Sequence, residues 1–383
     1  MKTIFWLNIN RFDVKIDKST NLEMCTGLVK RGYKVILLTS YRDKPYENKS
    51  LNFEVVSFAS VKLSCFFRIV LMIKMFFYLL KNAKPDDILY CDCVSIPMAY
   101  FVKLFKKIKM HLDFRTVYVD IHTIKQKLDL LIYWKMTLSL FLKTADSYSF
   151  ITEYLKSEVE REFKHSFDDY CIWSSAVNTD MFKSIKEELP GNKSQSPVLF
   201  YHGTISRNRG IGTVLEAVST LIKEKYDIVF RVIGSGPDLD MMKQHAQKLG
   251  IDDFVEFSGL IPYEKVPFEI AKADICICPL PNRIEWNVSS PLKVFEYMAS
   301  GKPVICTPIP AHKDVLKDQP FIVYTADESA EAIKNTIKDC LGRLPELQSY
   351  YQDEKAFVEN GFTWKRQAEI LYDYLVLKYG KVG

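Results

Sequence analysis

Two rhythms of apolar residues alternate along this chain. Short unbroken apolar runs read as buried strands, and longer stretches with apolar positions three and four apart read as helices. Residues 3–9, 33–39, 53–58, 87–91, 116–121 and 147–151 fit the first pattern. Residues 21–30, 65–80, 101–115 and 153–163 fit the second, and 128–142 is a further apolar run. The stretch 182–196 is polar and carries Pro190 and Gly191, the composition of a linker. The alternation then restarts. Strands are expected at 197–201, 228–233, 254–257, 275–278 and 303–307, and helices at 212–224, 239–249, 263–272 and from Ser290 to Gly301. The chain closes on one more amphipathic helix, FTWKRQAEILYDYLVLKYG. Strand and helix in strict alternation predict an α/β protein with doubly wound parallel sheets.

At 383 residues the chain is too long for one ordinary core, so two domains are expected. Its nine cysteines include no CxxC pair, and no Cys/His group has zinc spacing. Free thiols in a reducing, cytoplasmic compartment are expected, and no metal. The opening MKTIFWLNIN reads as a first strand rather than a signal peptide. The net charge of +5 is uneven: residues 1–185 hold 28 Lys and Arg against 20 Asp and Glu, and the rest hold 24 against 27. A basic half suggests an anionic partner. Nucleic acid is not expected, because the aromatic residues lie in apolar runs rather than among the charges. Residues 65–80 carry Arg68 and Lys74 and fall short of the roughly 20 residues of a membrane span. With the basic stretch 101–115 and the run 128–142, they predict contact with an anionic membrane surface.

Candidate chemistry centres on SSPLKVFEYMASGKPVICT, residues 289–307. Ser290 is the expected cap and Pro291 the first-turn residue, while Leu292, Val294, Phe295 and Met298 form the apolar face. The start of such a helix attracts anions, phosphate above all, and Lys293 and Glu296 stand near it. His202-Gly203-Thr204 ends the first strand of the second domain, and Arg207 and Arg209 follow as phosphate ligands. His122 closes an expected strand, at the carboxyl edge where parallel sheets bind ligands. Gly234-Ser-Gly-Pro237 lacks the third glycine of a dinucleotide fingerprint, which argues against a nicotinamide dehydrogenase. Asp238 and Asp240 stand where helix-capping acids belong.

YHGTISRNRGIGTVLEA, FRVIGSGPDLDMM, VEFSGLIPYEKVPFEIAKADICICPL and SSPLKVFEYMASGKPVI occur in this order, preceded by AVNTDMF at 176–182. Over roughly residues 170–380 the chain resembles the retaining glycosyltransferases of family 4, the group 1 transferases of GT-B fold. The resemblance implies two Rossmann-like domains facing a cleft. Residues 1–185 would bind the acceptor, 186–362 the donor, and 363–383 would cross back to the first domain. It implies a hexosyltransferase-type enzyme of cell-surface polysaccharide or glycolipid synthesis, placed at the cytoplasmic membrane face. The donor would be a nucleotide-diphosphate sugar and the acceptor a glycan or lipid-linked saccharide, with no metal or further cofactor. By the same resemblance, Glu296 would hold the donor ribose. The amides of Ser290, Leu292 and Lys293 would hold the diphosphate, with Arg209 as cationic partner. Ser258 to Leu260 would contact the base, Gly203, Thr204 and Gly234 would border the nucleotide, and His122 would meet the transferred sugar.

Three positions depart from the family pattern. Val288 stands where a second glutamate is usual, Thr204 replaces an arginine, and Lys18-Ser-Thr20 replaces a glycine pair. Val288 and Thr204 keep open a binding or scaffold protein with impaired turnover. A sugar-nucleotide epimerase of the same fold is the other alternative.

Overall fold

A computed structural model of the chain describes residues 2–11, 15–41, 45, 51–59, 67–117, 128, 130–183 and 196–381. The chain divides into two compact units, Met1–Ser175 with Trp364–Gly383, and Ala176–Thr363. The expected boundary at 185 and most of the expected linker fall among residues 184–195, outside the described residues.

The first unit holds a seven-stranded sheet: β1 (Thr3–Arg11), β2 (Lys34–Tyr41), β3 (Glu54–Ala59), β4 (Ile88–Asp92), β5 (Lys109–Phe114), β6 (Ser147–Phe150) and β7 (Cys171–Ile172). Their order is β3-β2-β1-β4-β5-β6-β7, and all pairs are parallel. The second unit holds six: β8 (Val198–His202), β9 (Val229–Ile233), β10 (Val255–Gly259), β11 (Ile275–Cys278), β12 (Val304–Cys306) and β13 (Ile322–Tyr324). These run β10-β9-β8-β11-β12-β13, again all parallel. In each sheet the strand order reverses beside the first strand, which opens a crevice at the carboxyl ends. The α/β fold of two Rossmann-like sheets is therefore as the alternation predicts.

The helix Trp364–Tyr379 belongs to the first unit and packs on the helix Lys15–Val29. Gly27 makes room for it, since a Cβ there would stand 2.4 Å from the Cβ of Ala368. The eight cysteines of the described residues are buried free thiols, and Cys276 and Cys278 are core residues of β11. No helix of the described residues is long and apolar enough to cross a membrane.

Three expectations are corrected. The helix expected at 101–115 is instead a helix Ile96–Lys106 followed by β5. Lys107 turns left-handed (φ 52°) and its amide closes the helix on Lys103 O. The strand expected at 116–121 does not appear at 115–117, and the rest of it lies outside the described residues. Likewise 263–272 is a 3-10 turn, Tyr263–Lys265, followed by a short helix, Val266–Ala271.

The hidden strand β5 carries two buried polar residues, His111 and Asp113. His111 Nδ1 lies 2.7 Å from Ser147 Oγ and Nε2 lies 2.8 Å from Ser149 Oγ. Ser149 donates to Asp113 Oδ1 at 2.6 Å. The network fits a neutral ring with its proton on Nε2, donating to Ser149 and accepting from Ser147. Burial pushes the His111 pKa down to about 3, and that of His312 in the second unit to about 4. Unfolding frees each ring to protonate near 6.5, so the unfolded state binds the extra proton below that pH. The stability each neutral histidine contributes is complete above pH 6.5 and is lost as pH falls toward these values. From pH 7.5 to 5.5, each histidine should cost its unit about 1.4 kcal/mol. Asp92 and Asp113, raised by burial, act with the opposite sign. Urea midpoints of wild type and His111→Asn at both pH values isolate the histidine: the variant should lose less on acidification.

Candidate functional site

Four strand ends and one helix build the site within the second unit. The loops after β8, β9 and β10 are tied by backbone hydrogen bonds. Gly203 N donates to Ile233 O (2.9 Å), Gly234 N to Gly259 O (2.8 Å) and Ile205 N to Ser235 O (3.0 Å). Gly234 is required by this contact: at φ 142°, a Cβ would stand 1.9 Å from Gly203 O. Its glycine is thus explained by packing between loops. Gly203 has φ 134°, and a Cβ there would stand 3.2 Å from the Lys293 ammonium.

The helix Leu292–Ala299 points its first turn at this edge. The expected Ser290 cap is corrected: Pro291 takes the cap position, and no side chain caps the helix. The Leu292 amide donates to Ser290 O at 3.0 Å, so it is engaged rather than open to an anion. The positive character of the site rests instead on side chains. Lys293 Nζ is buried, has no hydrogen-bond partner among the described residues, and sits 4.1 Å over the Tyr201 ring. Tyr201 is itself fixed, its hydroxyl donating to Thr204 O at 3.0 Å.

Arg209 provides the second cation. Its guanidinium lies 4.5 Å from the Trp286 ring centroid, and Trp286 Nε1 donates to Asn208 O at 2.7 Å. Burial raises the Cys278 pKa, while Lys293 and then Arg209 pull it back down. Arg207 behaves differently. It pairs with Asp238 at 3.2 Å, and its amide also donates to that carboxylate, which therefore does not cap the helix Leu239–Leu249. The Asp238 pKa is held below the usual range by the Arg207 amide first and its side chain second.

Glu296 is 2% exposed and doubly held. His202 Nε2 donates to Oε2 at 2.7 Å, and the Tyr263 hydroxyl donates to Oε1. Tyr297 OH accepts from the His202 amide (3.1 Å) and meets His202 Nδ1 at 3.2 Å. This sets the ring with Nε2–H toward the carboxylate and Nδ1 accepting from the phenol. Each Glu296 oxygen keeps a second lone-pair direction for a ligand hydroxyl. Ser258 and Leu260 are exposed at the end of β10, and Leu292 is half-exposed. Val288 is buried. Glu285 is ion-paired to Arg283 at 2.7 Å.

The structure thus brings Gly203, Thr204, Arg209, Gly234, Lys293 and Glu296 to one sheet edge. His122 lies among residues 118–127, outside the described residues. The sequence reading missed His202, Tyr263, Tyr297 and Trp286 as supports of the site. Only His202 carried a signal, its place at a strand end.

Two parallel Rossmann-like sheets with a cationic carboxyl edge define a GT-B protein. Residues 183–358 match the family described as glycosyl transferases group 1. The chain is 27% identical over 183 residues to the alpha-monoglucosyldiacylglycerol synthase of Streptococcus pneumoniae. That match covers 47% of this chain and 39% of the synthase, so the chain spans about two fifths of that relative's length. Sucrose-phosphate synthase from Thermosynechococcus elongatus has the same fold, with a TM-score of 0.78 at 16% identity over 98% of this chain and 100% of that one. So has Anabaena HepE in complex with UDP-glucose, with a TM-score of 0.77 at 12% identity over 98% and 100%.

Proposed function

We propose that this protein is a retaining glycosyltransferase. It would move a hexosyl group from a nucleotide-diphosphate sugar to a glycan or lipid-linked saccharide in the cytoplasm. The observation that carries the reading is the buried Lys293 ammonium beside Gly203, without a hydrogen-bond partner among the described residues. As the bond from the anomeric carbon to the diphosphate breaks, negative charge grows on the leaving oxygens. Fixed cations already in place stabilise that charge without reorganisation. With Lys293, Arg209 and the helix dipole as counter-charge, the reading calls on no metal. Glu296, held in place by His202 and Tyr263, would accept from the donor ribose. Ser258 and Leu260 would flank the base, and His122 would meet the sugar. The name of the pneumococcal relative supports a lipid acceptor, and the HepE complex makes UDP-glucose the first donor to try.

The test is incubation of the protein with UDP-, GDP- and ADP-sugars, with and without diacylglycerol and saccharide acceptors. Acceptor-dependent release of the nucleotide diphosphate, with the product keeping the donor's anomeric configuration by NMR, is the expected result. An inverted product removes the retaining part. Nucleotide binding without turnover gives the scaffold reading, which Val288 and Thr204 favour. Conversion of the donor without acceptor gives the epimerase.

A further inference from the structure

The exposed large apolar side chains are unevenly spread. In the first unit they gather on the helices Phe67–Asn82 and Ile96–Lys106 and on the π-helical turn Leu130–Met136 that runs into Thr137–Phe141. These connect β3 to β4, β4 to β5 and β5 to β6, always moving the same way across the sheet. Right-handed crossovers in one direction put all three on one face of the sheet, opposite Lys15–Val29 and Trp364–Tyr379. Ring contacts join them into one row: Phe76 meets Phe105 at 6.2 Å, and Phe101 meets Phe141 at 6.5 Å.

The inner side of each helix is buried through Leu71, Met75, Val102 and Leu138. The outer side carries Ile73, Phe77, Leu104, Phe105, Met136 and Leu140, each more than half exposed. Single exposed apolar residues are ordinary, but a contiguous row across three helices marks an interaction surface. Its charge says what it meets. Residues 67–82, 96–106 and 130–143 hold three, two and two Lys or Arg, and no Asp or Glu. Lys103 is turned to Asp146 at 2.8 Å, while Lys74, Lys81, Lys135 and Lys143 are exposed. A second copy of the chain docked on the same face would bring like charges together. An anionic bilayer complements both features: aromatic and aliphatic tips enter the acyl boundary, and lysines reach the headgroups along their own stems.

We propose that this face docks the protein on an anionic lipid bilayer. The surface belongs to the first unit and the donor site to the second, and the proposal does not depend on the donor-site reading. The experiment is co-sedimentation of the full chain with vesicles of phosphatidylcholine alone, or with roughly one third phosphatidylglycerol. Wild type should partition at least about tenfold more onto the anionic vesicles, less so as salt rises. Phe105→Ser with Leu140→Ser should lower that binding by about tenfold or more, and Lys135→Glu with Lys143→Glu should erase the anionic preference. Both variants should keep the wild-type melting temperature and the wild-type stabilisation by UDP, which separates failure of this face from failure of the donor site. The proposal is overturned by equal partitioning of wild type onto both vesicles, or by variants that bind like wild type. A dimer in sedimentation velocity that Phe105→Ser with Leu140→Ser dissolves would also overturn it, by assigning the face to a second copy.

Discussion

Replacing Lys293 with methionine should make the unliganded protein slightly more stable and nearly inactive. The Lys293 ammonium is buried without a hydrogen-bond partner among the described residues. Taking an ammonium out of water costs on the order of several kcal/mol. The Tyr201 ring, 4.1 Å away, returns roughly 2 kcal/mol of that through its negative face. Methionine has a similar length, no charge and a soft terminus that fills the same space. A gain of about 1 kcal/mol, or roughly 2–4 °C in the melting temperature of a unit this size, is the expected balance. Turnover should fall by about two to three orders of magnitude, the effect of deleting one group that stabilises transition-state charge. Differential scanning calorimetry and initial rates on the same preparation check both halves. A variant that melts lower and turns over normally would show that Lys293 is a packing residue and would remove the support for the donor-site reading. Sites that bind charge commonly carry this cost to stability.

The second large effect is expected at Glu296. Glu296→Ala should abolish stabilisation by nucleoside diphosphates and lower kcat/KM for the donor by about a hundredfold. A pair of hydroxyl hydrogen bonds to a carboxylate accounts for that, at roughly 1.5 kcal/mol or more each. Wild type at about a hundred times the dissociation constant should gain roughly 2.7 kcal/mol from the ligand. The unliganded variant should itself lose about 1–3 kcal/mol, because His202 Nε2–H and the Tyr263 hydroxyl lose their acceptor. Glu296→Gln separates the two effects. Its amide oxygen still serves one neighbour, so the stability loss shrinks while the weakened ribose contact remains. Thermal shifts across UDP, GDP, ADP and CMP read both, and name the base. Wild-type nucleotide affinity in both variants would take the ribose away from Glu296.

The failures of sequence reading have local causes. The run 101–115 looks helical because His111 and Asp113 fall on what seems a polar face. In the fold they point into the first unit, where Ser147 and Ser149 satisfy them from the next strand. A polar residue reads as exposed until its partner is known. Lys107 hides the break, since a lysine in the left-handed region leaves no mark of the kind a glycine would. The Ser290 cap fails differently: the Leu292 amide is taken by the Ser290 carbonyl, a local turn that residue types do not reveal.

The sequence by itself determined the alternation of strands and helices, because period and apolar runs are local properties. It also determined the arrival of Gly203, Gly234, Lys293 and Glu296 near carboxyl strand ends, because each lies just past a strand or just inside a helix. Only the tertiary structure decided what those residues meet. His202 reaches Glu296 across 94 positions of chain and Tyr263 across 33, and Trp286 reaches the Asn208 carbonyl across 78. Such meetings follow from the order β10-β9-β8-β11, which long-range packing sets. The same fold leaves the Lys293 ammonium buried without a hydrogen-bond partner among the described residues.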